Sequence, residues 1–95
     1  MLAMTPEATE AVHDLLEEKG LSDDCGIRVY ASSEDDGQRA VRMTIADRPI
    51  AGDQVSESDG AKLFVASEVA EVLADSVIDV RVDGDRRQFV LHSSA

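Results

Sequence analysis

One thiol, two imidazoles and an excess of carboxylates are the groups in this chain that could do chemistry. Cys25 is the only cysteine. It cannot form an intrachain disulfide. Asp23 and Asp24 precede it directly, and neighbouring negative charge disfavours the thiolate that binds metals and attacks electrophiles. Cys25 therefore reads as an inert or half-buried thiol, with a metal or redox role as the sharper alternative. His13 stands between Glu10 and Glu17, a spacing that gathers ligands on one helix face. The same spacing is ordinary on a solvated face, and that is the reading adopted for His13. His92 lies near an end able to fray. The run Glu34-Asp35-Asp36 could meet a hard cation, but it lacks the ligand alternation of an EF-hand loop and reads as a solvated turn. No glycine-rich phosphate loop, metalloprotease pair or serine elbow is present, and no acid–base or nucleophile constellation stands out. The expectation is a non-enzyme with no catalytic or cofactor-binding residues, no cofactor, and only Cys25 and His13 as metal candidates.

The elements that would position these groups follow from periodicity and turn chemistry. Thr5-Pro6-Glu7 is a helix start: a capping hydroxyl, a proline suited to the first helical position and an acid at the positive end of the dipole. Ala8, Val12, Leu15 and Leu16 share one face, and Gly20 can take the left-handed position after the helix, so a helix is predicted over Pro6 to Lys19. Leu21 to Gly26 reads as a loop. Ile27, Val29 and Ala31 alternate with polar residues, as do Val41, Met43 and Ile45, which gives two strands around a turn. A hairpin centred near Asp36 sets Val29 opposite Met43 and Tyr30 opposite Arg42. Asp59-Gly60 is a two-residue hairpin signal; it sets Val55 opposite Phe64 and Glu57 opposite Lys62. Ser67 is the expected cap of a second helix ending near Asp75, with Val69, Ala70, Val72 and Leu73 as its apolar stripe. Ser76 to Val82 and Arg87 to His92 form a last hairpin, whose register stays open between Val80 opposite Phe89 and Ile78 opposite Phe89.

The predicted order is α-β-β-β-β-α-β-β. That is an α+β fold, a compact mixed or antiparallel β-sandwich or half-barrel with helices packed against it. Ninety-five residues make a single domain, 1–95. Twenty Asp and Glu against nine Lys and Arg leave a net charge of −11. This argues against nucleic acid and against anionic membranes. It fits either simple solubility or an acidic face for a basic protein partner. The first residues, MLAMTPEATE, do not read as a signal peptide, and no stretch has the ~18 apolar residues of a spanning helix. The expected location is cytoplasmic.

The stretch GDQVSESDGAKLFVASEVAEVLADSVIDV, with TPEATEAVHDLLEEKG and GIRVYASS before it and QFVL after it, resembles the HesB-like family, the A-type iron–sulfur cluster carriers. The matching positions are Asp53, Gly60, Phe64-Val65, Ser67, Leu73 and Ile78-Asp79, with Val80 where the family has Tyr. The resemblance implies a HesB-like fold over nearly the whole chain. It also implies cluster ligands: one cysteine at the hairpin after the first strand and a Cys-Gly-Cys pair near the C-terminus. Here the hairpin reads Ala31-Ser32-Ser33-Glu34-Asp35-Asp36-Gly37, and the sequence ends His92-Ser93-Ser94-Ala95. The resemblance therefore points to a degenerate member without the cysteine ligands, an accessory or interaction domain whose partners are proteins of iron–sulfur assembly or a basic protein. The alternative is a metal-binding or metal-sensing protein using Cys25, His13 or carboxylates across a homodimer. Monomer and homodimer both stay open.

Overall fold

The computed structural model describes residues 1–33 and 36–93. Strand β1 is the pair Ala3–Met4 and helix α1 spans Pro6–Glu18. The helix begins as the sequence demands: Thr5 is extended, and its hydroxyl accepts from the Ala8 N–H at 3.1 Å. It ends in a Schellman arrangement, with the Gly20 N–H on the Glu17 carbonyl at 3.1 Å and the Leu21 N–H on the Leu16 carbonyl at 2.8 Å. Ala8, Val12 and Leu16 are buried as expected, joined by Thr9 and Ala11, while Leu15 is only half-buried.

Strands β2 (Gly26–Ser33), β3 (Arg39–Ala46), β4 (Gln54–Ser58) and β5 (Ala61–Val65) build a four-stranded sheet in the order β3-β2-β5-β4. Both expected hairpin registers are present: Val29 faces Met43 and Tyr30 faces Arg42, and Val55 faces Phe64 and Glu57 faces Lys62. Asp59 and Gly60 both take positive φ, 49° and 84°, which the two-residue turn requires. Strands β2 and β5 pair in parallel, Ile27 with Leu63. Gly26 is part of this pairing and not of the preceding loop. A Cβ there would lie 2.4 Å from the Lys62 carbonyl oxygen, so only glycine lets the two backbones meet.

Helix α2 is shorter than expected, Ser67–Ala70, and is followed by turns to Asp75. Its N-cap is Ala66, without a side-chain hydrogen bond, and not Ser67. Val72 is 78% exposed and does not belong to the buried stripe, which keeps Val69 and Leu73. Strands β6 (Ser76–Asp83) and β7 (Arg86–Ser93) form the last hairpin with Val80 opposite Phe89. β1 adds in parallel beside β6, giving a three-stranded sheet in the order β1-β6-β7. The predicted order of two helices and six strands is found, with the two-residue β1 in addition. The core draws on both sheets and on α1, from Val12 and Leu16 to Ile27, Val29, Leu63, Val65 and Ile78.

Candidate functional site

The residues singled out for chemistry do not converge. Cys25 is 6% exposed and belongs to the core cluster. Its N–H donates to the Ser22 carbonyl at 3.1 Å, closing the turn that leads into β2. His13 is not on a solvated face as expected. It is half-buried, and its Nε2 donates to the Asp59 carbonyl at 2.8 Å, so it latches α1 onto the β4–β5 turn while Glu10 and Glu17 stay exposed. That turn is distant in sequence, which is why helix periodicity alone missed the contact. His92 is exposed, with Nε2 3.8 Å from the Asp79 carboxylate. Of the acidic run, Asp36 accepts from the Gln38 N–H at 3.0 Å in a local turn; Glu34 and Asp35 lie outside the described residues. Among the described residues, no three His, Cys, Asp or Glu side chains gather in a way that could hold a metal ion.

The best-partnered polar centre was not legible in the sequence. Arg28, on β2, grips Asp53 with two bonds, Nε to Oδ2 at 2.9 Å and Nη2 to Oδ1 at 3.0 Å. Asp53 also accepts from the Ile50 N–H at 2.9 Å. The carboxylate keeps 2% of its side-chain exposure and the guanidinium 15%. The hydrogen bonds from Arg28, then that from Ile50, hold the Asp53 carboxyl below the ordinary carboxylate range, against the opposing effect of burial. The same pair raises Arg28 above its ordinary value. The guanidinium also lies over the Tyr30 ring, 5.4 Å from its centroid. The pair ties the connection between β3 and β4 to the middle of the sheet. The advance signals were the Pro49 and Gly52 turn just before Asp53 and the place of Asp53 among the positions that carry the family resemblance; neither pointed to Arg28.

A second carboxylate joins the two ends of the fold. The Thr5 hydroxyl donates to Asp79 Oδ1 at 2.9 Å, and the Val80 N–H donates to the same oxygen at 2.8 Å. The Val80 N–H, then Thr5, lowers the Asp79 pKa. Thr5 thus caps α1 and fastens it to β6, to which its own N–H also donates at Ile78. Arg87 on β7 reaches back to Glu18 and lies 4.0 Å from Asp14 on α1. These contacts use their groups for structure.

No family model matches this chain, and no curated protein matches it. Solved structures do. SufA of Escherichia coli, involved in biosynthesis of iron–sulfur clusters, superposes with a TM-score of 0.81 at 23% identity, covering 97% of this chain and 79% of SufA. IscA, solved with a [2Fe-2S] cluster, gives 0.79 at 22% identity, covering 98% of this chain and 85% of IscA. This chain has the HesB-like, A-type carrier fold. A protein from Aquifex aeolicus shares it, with a TM-score of 0.73 at 20% identity, covering 95% of this chain and 88% of that one. In this A-type carrier fold, the β2–β3 hairpin is the place where the sequence resemblance leads one to expect a ligand cysteine. Here β2 ends on Ala31, Ser32 and Ser33. The one thiol sits at the opposite end of β2, in the core.

Proposed function

We propose that this chain is a non-enzymatic protein-interaction domain of iron–sulfur cluster assembly that does not hold a cluster on cysteines of its β2–β3 hairpin. One observation carries this reading. The A-type carrier fold covers 97% of this chain, yet β2 ends on the hydroxyls of Ser32 and Ser33 and the one thiol, Cys25, is 6% exposed in the core. Thiolates are the main holders of such clusters, and a thiol in apolar surroundings resists ionisation. Anaerobic reconstitution with iron and sulfide is therefore expected to leave the protein colourless, and Cys25 should react with thiol reagents only after denaturation. A visible cluster spectrum that disappears in Cys25→Ala would overturn this half of the proposal. Capture of purified assembly scaffold or cluster-client proteins tests the other half, and failure to bind any of them removes it.

Metal binding through Cys25, His13 or carboxylates across a homodimer has less support. It would require the thiol to leave the core and the His13 Nε2 to leave the Asp59 carbonyl. Calorimetry with iron(II) and zinc is expected to be flat. Micromolar binding lost in Cys25→Ala or His13→Ala would reverse the assignment. No helix among the described residues is long and apolar enough to cross a membrane; a cytoplasmic setting is part of the same proposal.

A further inference from the structure

His13, a metal candidate by sequence, uses its Nε2 on a turn instead. That turn is Asp59-Gly60, the two-residue link between β4 and β5, and both of its residues are exposed. An aspartate followed by glycine is the peptide link most prone to one spontaneous reaction, because glycine has no Cβ to shield its amide nitrogen. The Gly60 nitrogen attacks the carboxyl carbon of the Asp59 side chain. A C–N bond forms, a C–O bond breaks, and the carboxyl hydroxyl leaves with the amide proton as water, closing a succinimide ring. Water then adds to either ring carbonyl. Addition at the main-chain carbonyl breaks its bond to the Gly60 nitrogen, and the chain then runs through the Asp59 side chain as isoaspartate. Nothing but water enters or leaves.

This turn has no room for that product. Asp59 and Gly60 join Ser58 to Ala61, which face each other across the ladder, with φ of 49° and 84°. Isoaspartate inserts one more carbon into the main chain at that point. The register at stake sets Val55 opposite Phe64, and Phe64 is 2% exposed. Ring closure also has a geometric requirement. The Gly60 nitrogen reaches the Asp59 side chain only if the peptide between them rotates about the Asp59 Cα–C bond, and that rotation swings the Asp59 carbonyl oxygen. This oxygen is the atom His13 holds, with Nε2 at 2.8 Å. His13 is not free to follow it, because its helix is fixed in the core by Val12 and Leu16, 0% and 2% exposed. The ring also lies against the turn: a Cβ on Gly60 would stand 3.5 Å from His13 Cε1. We infer that Asp59-Gly60 is an isomerisation site guarded by His13, whose hydrogen bond fixes the Asp59 carbonyl and so suppresses succinimide formation at the turn that sets the β4–β5 register.

The test ages the full chain at neutral pH and maps isoaspartate by enzymatic methylation of its free α-carboxyl and peptide analysis. Asp36-Gly37 and Asp83-Gly84 are the same dipeptide elsewhere in the chain and serve as internal references. In His13→Ala, isoaspartate should form at Asp59 about fivefold faster than in wild type, the factor for losing one hydrogen bond, while the rates at Asp36 and Asp83 stay unchanged. His13→Gln, whose side-chain amide can donate to the same carbonyl, should recover most of the protection. Aged His13→Ala should also lose amide-exchange protection along β4 and β5. Equal rates at Asp59 in wild type and His13→Ala would overturn the inference. So would a rise at all three sites together, because the histidine would then act through general stability. The wild-type rate at Asp59 should also lie below that of a free peptide spanning residues 56–62. An equal rate there would overturn the inference however the variants fold.

Discussion

Asp53 gives up nearly all its water, with 2% of its side chain exposed, and receives three hydrogen bonds in return. Removing one partner of such a pair leaves the other charge buried and uncompensated, which costs more than the pair itself is worth. Arg28→Met should therefore destabilise the fold by about 3 kcal/mol, read as a lower urea midpoint, and Asp53→Asn by less, because Asn keeps one acceptor oxygen for Arg28 and the charge left behind is the more exposed partner of the pair. The carboxyls of Asp53 and Asp79 both titrate below their ordinary value. The unfolded chain thus binds more protons than the folded one in acid. The stability from these two groups is present above the unfolded carboxylate pKa of about 4 and is lost as pH falls through the folded values. Urea midpoints measured from pH 6 down to pH 2 should fall less steeply for Asp53→Asn than for wild type. Parallel curves would remove Asp53 from the account.

Local elements were legible where their signals are local. The Asp59-Gly60 turn and the alternation of β2 and β3 specified two registers, because a one-residue slip would turn every apolar side chain outward. Thr5 and Gly20 bounded α1 for similar reasons. Pairings that join distant segments left no such trace. The parallel β2–β5 ladder depends on Gly26, which looks like any loop glycine until Lys62 is placed against it. The two-residue β1 is too short for a pattern, and α2 was overextended because Val72 is apolar but points to solvent. The candidate site suffered most: the contacts of His13 with Asp59 and of Arg28 with Asp53 span 46 and 25 positions. Gly26→Ala tests the ladder. Its added carbon meets backbone, not a flexible side-chain end, so the cost should approach the upper range for forced overpacking, about 3 kcal/mol. Amide exchange should accelerate in β5 and leave the β6–β7 hairpin nearly unchanged. A uniform loss of protection would mean that the two sheets open as one unit.

At the scale of the whole molecule, a net charge of −11 is held within 35 × 31 × 29 Å. Self-repulsion of that size opposes the compact state. At 0.01 M salt the screening length is about 30 Å, so charges on all sides of the protein repel, whereas at 1 M it is about 3 Å and only contacting pairs still interact. The Arg28–Asp53 pair, at 2.9 Å and shielded from solvent, survives that screening. The general repulsion does not. Raising NaCl from 0.01 to 1 M should therefore stabilise the chain, by about 1 kcal/mol or 4–8 °C in Tm for a domain of this size. One basic residue sharpens the expectation. Arg42 is exposed on β3 in a surface otherwise dominated by carboxylates, so each of its neighbours across solvent is more often an attraction than a repulsion. Reversing it in Arg42→Glu takes the net charge from −11 to −13 and replaces those attractions with repulsions. The variant should melt below wild type at 0.01 M NaCl and converge with it at 1 M. A gap that persists at 1 M would mean that Arg42 acts through a short-range contact, such as its Nε bond to the Ser32 hydroxyl at 3.3 Å, and not through the field of the whole protein.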